Sequence, residues 1–99
     1  MSRLNFDEVV DVLSLKSGRA IFRSILNDAK TVKEVQEDLE ESEVSLKYRE
    51  SVYKALERLV SAGLVKKMRD GRTVKYKSRY SGISADFVEE NLGLSETER

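Results

Sequence analysis

Apolar residues recur along the first quarter of the chain at helical spacing: Phe6, Val9, Val10 and Leu13 stand at i, i+3, i+4 and i+7. Asn5 is a good N-cap, with Glu8 as capping-box partner and Leu4 and Val9 set for a hydrophobic staple, which predicts a first helix from about Phe6 to Leu15. Ala20, Ile21, Ile25 and Leu26 make the stripe of a second helix, capped by Ser17 and ending near Asn27 or Asp28, with Arg19 and Arg23 elsewhere on its surface. Thr31 opens a third with the capping box TVKE, and Val32, Val35 and Leu39 keep its apolar face to about Glu40. After the polar EESEVS, where Ser42 or Ser45 can cap, a fourth helix is expected from about Leu46 to Ala62. Its buried line is Tyr48, Val52, Ala55, Leu56, Leu59 and Val60, and Gly63 suits the left-handed residue that stops it.

The period then changes from helical to alternating. Leu64 to Arg69 and Thr73 to Arg79 read as strands around an Asp70-Gly71 loop. That loop sets Arg69 against Arg72, Lys67 against Val74 and Val65 against Tyr76. Val65, Val74 and Tyr76 then share the core face, and Lys66, Met68, Thr73, Lys75 and Lys77 the outer one. A last helix is expected over 84–92, capped by Ser84, with Ile83, Phe87, Val88 and Leu92 apolar, Gly93 as its stop and a fraying SETER.

Composition narrows the class. Ninety-nine residues with 39% hydrophobic and 7% aromatic content suit one domain with a modest core, whose stability would gain from a partner chain. The absence of Cys and His removes thiol nucleophiles, imidazole bases and the usual zinc ligands. Acid pairs such as Glu40 and Glu41, or Glu89 and Glu90, point about 100° apart on a helix, and GRTVK lacks the second Gly of a phosphate loop, so an enzyme is not expected. No apolar run is long enough to span a bilayer and no leader pattern follows Arg3, which predicts a soluble, cytoplasmic protein.

The zero net charge conceals a sorting by block. Residues 47–79 carry eleven bases against Glu50, Glu57 and Asp70, net +8, whereas 28–46 is net −5 and 80–99 net −4. A duplex responds to the local face and not to the total.

Helices, a recognition-type helix and a basic hairpin, in that order, outline a winged helix-turn-helix: mainly α, about five helices and a two-stranded antiparallel wing. SVYKALERLVSAGLVKKMRDGRTVKYKSR resembles the recognition helix and wing of ArsR-like winged-helix transcriptional regulators. SGRAIFRSIL is similar to the helix that precedes their helix-turn-helix, and the spelling VYKALERL is also similar to PadR-type regulators. The resemblance covers roughly residues 17–79 within a single domain of residues 1–99. It implies a sequence-specific, double-stranded DNA-binding, nucleoid-associated regulator that works as a homodimer through helices at 5–15 and 84–92. Two departures stand out. The connection after Leu39 is longer than the family's tight turn and is acidic, and the absence of Cys and His means that metal sensing is not carried over; no cofactor is expected.

With Val52 at the centre of the buried face, Lys47, Glu50, Lys54, Glu57, Arg58 and Ser61 fall on the far side of the helix and Ser51 and Tyr53 on its flanks. The resemblance puts the N-terminal half of that helix in the major groove, which makes Lys47, Glu50, Ser51, Tyr53 and Lys54 candidates for base edges. Arg49, Arg58 and the wing residues Lys67, Arg69, Arg72 and Lys75 suit phosphates or, at the wing tip, the minor groove. Of the tyrosines that could stack on single strands, Tyr48 and Tyr76 read as core, and Phe6, Phe22 and Phe87 as core or dimer interface. The competing reading is a winged helix used for protein interaction, with the acidic block facing a basic partner.

Overall fold

The computed structural model describes residues 4–41 and 49–96. The order is α1 (Phe6–Leu13), α2 (Lys16–Ser24), α3 (Val32–Glu40), α4 (Arg49–Ser61), then β1 (Val65–Asp70), β2 (Thr73–Ser78), β3 (Tyr80–Asp86) and β4 (Asn91–Glu96). The helix starts follow local chemistry. Asn5 accepts the Glu8 amide at 2.9 Å, and Thr31 and Glu34 exchange both bonds of a capping box. Ser17 is not a cap: α2 begins at Lys16, with Leu15 at its N-cap and no side-chain bond there. The Leu15 carbonyl accepts the first intrahelical bond, from Arg19, so the chain turns two residues earlier than the serine would place it.

α1 and α2 meet at Gly18. A Cβ there would lie 2.1 Å from the Val12 carbonyl oxygen, so the two backbones approach as closely as they do only because the side chain is missing. α4 closes with a full Schellman motif. Gly63 takes φ 92°, its amide bonds to Val60, the Leu64 amide bonds to Leu59, and Leu64 and Leu59 are both fully buried. The core gathers Val9 and Val12 of α1, Ile21 and Ile25 of α2 and its end, Val35 and Leu39 of α3, and Val52, Leu56 and Leu59 of α4. Leu64, Val65 and Tyr76 close it from the hairpin.

The first hairpin forms as an antiparallel pair, but its loop is Gly71-Arg72 and not Asp70-Gly71. Asp70 pairs with Thr73, Lys67 with Tyr76 and Val65 with Ser78. Gly71 alone has positive φ, at 64°, the pattern of a turn that needs glycine at its first central position. The slip from the expected register is two residues, so every side chain keeps its face: Val65 and Tyr76 are still buried and Lys66, Met68 and Lys75 still exposed. The hairpin is anchored by a bridge in which Lys30 and Tyr76 exchange backbone bonds at 2.9 and 2.8 Å.

The last element departs from expectation. Residues 80–96 form a second antiparallel hairpin and not a helix over 84–92, so the described residues hold four helices and two hairpins. The apolar positions had read as helical, but Ile83, Ala85, Leu92 and Leu94 alternate and share one face, with Ile83 opposite Leu94 and Ala85 opposite Leu92. Ile83 and Leu92 on that face pack against the core. Ser84 pairs with Gly93 in the ladder; the capping acceptor is Asp86, whose Oδ1 receives the amides of Val88 and Glu89 in the turn.

Candidate nucleic-acid interface

α4 sets its apolar residues inward. Val52, Leu56 and Leu59 are buried, while Arg49, Glu50, Ser51, Tyr53, Lys54 and Arg58 are exposed. α1, α2 and α3 pack against its other side and leave that face outward. Glu50 and Lys54 make an i, i+4 pair at 3.6 Å with both side chains about three-quarters exposed. Such a pair contributes about 0.5 kcal/mol or less, so either member can exchange it for another partner. Tyr53 is 45% exposed and Ser51 is open. Arg49 donates through Nε to Gln36 of α3 at 3.2 Å, which links the start of α4 to the preceding helix. Lys47 and the expected core residue Tyr48 lie outside the described residues.

Two candidates are engaged within the fold. The Arg58 guanidinium pairs with Asp11 of α1 at 2.6 Å. Lys67 donates to Glu57 Oε2 at 2.6 Å, and its ammonium lies 6.0 Å from the Tyr53 ring centre and 5.9 Å from that of Tyr76. Glu57 also accepts the Tyr76 hydroxyl at 2.6 Å. The Lys67 bond, seconded by the Tyr76 hydroxyl, holds the Glu57 carboxyl below its ordinary value and outweighs partial burial. Lys67 is pushed up by the same bond, and Tyr76 is pushed up by burial and then by Glu57. Glu57 thus joins α4 to the wing through both strands. Sequence reasoning placed it merely on the far side of the helix, because a contact spanning ten and nineteen residues leaves no local pattern.

Arg69, Arg72 and Lys75 project from the wing, with Arg72 in the turn itself, and all three are exposed. The site therefore brings together an open helix face and an open basic hairpin tip, tied at their base by Glu57. The acidic residues before α4 divide. Asp38 is held by Lys30 and Ser24, and its carboxyl lies below its ordinary value for that reason, whereas Glu37, Glu40 and Glu41 are exposed.

The sequence profile of the penicillinase repressor family matches residues 19–95, more than three-quarters of the chain. The chain belongs to the penicillinase repressor family. It is accordingly a DNA-binding transcriptional regulator with a winged-helix fold and not an enzyme. Solved structures bear out the fold. A possible transcriptional regulator for arsenical resistance is 22% identical with a TM-score of 0.59, covering 72% of this chain and 68% of its own. An ArsR-like transcriptional regulator from Rhodococcus sp. RHA1 is 22% identical with a TM-score of 0.60, covering 74% of this chain and 63% of its own. The ArsR-like resemblance of the recognition helix and wing is thus matched at the level of architecture. No curated protein matches the sequence. Among the described residues no helix is long and apolar enough to cross a membrane.

Proposed function

We propose that this penicillinase repressor family member binds specific double-stranded DNA sites as a homodimer in the cell interior and represses transcription by occupying a promoter. α4 would lie in the major groove, with Lys47, Glu50, Ser51, Tyr53 and Lys54 at base edges. Arg49 and the wing residues Arg69, Arg72 and Lys75 would meet phosphates or the minor groove. The single observation that carries this reading is the outward face of α4, whose polar side chains are open or weakly paired, set beside a hairpin tip of three exposed bases. Arg58 and Lys67 act more indirectly in this reading. Arg58 fixes α4 to α1, and Lys67 sets the wing against α4, each through an ion pair with a neighbouring element.

Dimerisation is supported by apolar surface at the chain's ends. Phe87 and Val88 at the tip of the second hairpin are 67% and 89% exposed, and Phe87 meets Phe6 of α1 edge to face at 5.6 Å. A two-fold pairing there would space two copies of α4 for half-sites about one helical turn apart.

The test is selection of bound duplexes from a random pool, followed by retardation of the winner at rising salt. A palindromic winner, with affinity falling by powers of ten as salt rises, is expected. No binding even at low salt would leave the protein-interaction role instead.

A further inference from the structure

A groove of about 530 Å³ runs between α1, α2 and the second hairpin, within the size range of small-molecule sites. Its walls are apolar, with Leu13, Phe22, Ile83 and Leu92 among them. The side-chain polar groups on it are the hydroxyls of Ser14, Ser81 and Ser84 and the guanidiniums of Arg19 and Arg23. Among the described residues no carboxylate side chain lines it.

The two arginines sit one helical turn apart on α2, so they share a rim. Arg19 donates through Nη1 to the Leu13 carbonyl at 2.7 Å, which holds it beside the groove with donors to spare. Arg23 is exposed, and its guanidinium has no hydrogen-bond or ion-pair partner among the described residues. Ser14 and Ser81 already give their hydroxyl hydrogens to backbone carbonyls of Asp11 and of Ser95 and Glu96. An occupant therefore meets a long apolar wall and a positive rim that matches a carboxylate in a two-pronged geometry. A neutral apolar molecule would leave that rim unused, and a cation would be repelled by it.

We propose that this groove binds an amphipathic monocarboxylate, its tail along Leu13, Phe22, Ile83 and Leu92 and its carboxylate on Arg23 with Arg19 alongside. This goes beyond the DNA-binding reading and does not depend on it, although Phe87, placed above at the two-fold contact, also lines the groove. The place has consequences for that reading all the same. α2 packs on α3 and α4, and β3 follows the wing strand β2 after Arg79 alone, so an occupant ties the wing's trailing end to the helix-turn-helix.

Calorimetric titration of the full chain with decanoate below its micelle concentration tests this, with decyltrimethylammonium as the same tail carrying the opposite charge. One decanoate per chain is expected, with the ammonium binding at least tenfold more weakly. Arg23→Gln is expected to weaken decanoate tenfold or more without moving the ligand-free melting midpoint, since the Arg23 guanidinium holds no partner among the described residues. Ala85→Trp should fill the groove and abolish binding. Because Arg23→Gln leaves the core untouched, it decides the matter even where Ala85→Trp does not fold. Equal affinity for the two detergents, unchanged decanoate binding in Arg23→Gln, or no heat at all would overturn the proposal. Uptake that occurs only as a dimer dissociates would also overturn it, by assigning the groove to a second copy of the chain.

Discussion

The Tyr76 hydroxyl donates to Glu57 Oε2 across 2.6 Å, which joins the most deeply buried residue of the wing to the outward half of α4. The same carboxylate oxygen receives Lys67 from the other strand. Helix and wing are thereby tied side chain to side chain through a single acceptor, beside the main-chain bridge of Lys30 and Tyr76. Tyr76→Phe keeps the ring in the core and deletes only the donor. It should cost about 1.5 kcal/mol in urea unfolding, the low end for a hydrogen bond to a charged group because Glu57 is partly exposed. Specific DNA affinity should fall in parallel; full affinity in Tyr76→Phe would show that the angle of helix to wing is set elsewhere.

Acid should weaken the fold through the two lowered carboxyls. Glu57 and Asp38 titrate below their ordinary values of 4.5 and 3.8 in the folded chain, so near those pH values the unfolded chain binds more protons than the folded one. Their stabilisation is complete above the ordinary values and is lost as pH falls through the folded ones. Urea midpoints are expected to drop between about pH 5 and pH 3. Glu57→Gln should be less stable at neutral pH and lose less across that window. Parallel curves for the variant and its parent would remove Glu57 from the account.

Gly18→Ala should be among the most damaging single-methyl changes in the chain. Its Cβ would enter the Val12 carbonyl at 2.1 Å, against backbone that cannot step aside without parting α1 from α2. A loss of about 3 kcal/mol is expected. Gly71→Ala provides the contrast. Its Cβ meets nothing within 4 Å, and its cost is the left-handed φ of 64° alone, about 1 kcal/mol. Thermal melts that rank the two in the opposite order would contradict the close approach of α1 and α2.

On DNA, Lys54→Ala should cost about 1 to 3 kcal/mol on the preferred site and relax the preference at one base pair. Arg72→Ala should weaken all sequences alike and lower the salt slope by about one. The two are separable by running each variant through the same duplex selection and salt series. An unaltered sequence preference in the first, or an unaltered slope in the second, would reassign that residue.

Phe87→Ser removes the exposed ring at the hairpin tip without opening the core, since its ring contact among the described residues is the half-buried Phe6 of α1. Sedimentation should show a monomer at concentrations where the parent is a dimer, with a melting midpoint that no longer depends on protein concentration. A variant that sediments with its parent would place the two-fold contact on another face.

The sequence was most legible where a few neighbouring residues decide the structure. Thr31 with Glu34, Asn5 as an N-cap, and Gly63 after the Leu59 turn each fix a helix end within four or five residues and appear as expected, although Glu8 takes only the amide half of the capping box expected of it. The hairpin's faces were legible for the same reason, although its turn moved by one residue once Gly71 took the first central position. The segment after Arg79 misled because Ile83, Phe87, Val88 and Leu92 fit a helical period and the alternating pair Leu92 and Leu94 carries little weight alone. What accompanies the hairpin is the packing of Ile83 and Leu92 against the core from one of its faces, which is tertiary information. In the site, the open positions of α4 followed from periodicity. The engagement of Arg58 by Asp11 spans 47 residues and could not.

The Lys30–Tyr76 bridge is made entirely by main-chain atoms, so it is blind to what residue 30 carries unless that residue is proline, which would remove its N–H. The wing's attitude toward the helices can therefore be inherited while its decoration drifts. Arg69, Arg72 and Lys75 are free to change their chemistry on a mount that does not notice, and a lineage of such proteins could acquire new targets by rewriting the tip without rebuilding the frame beneath it.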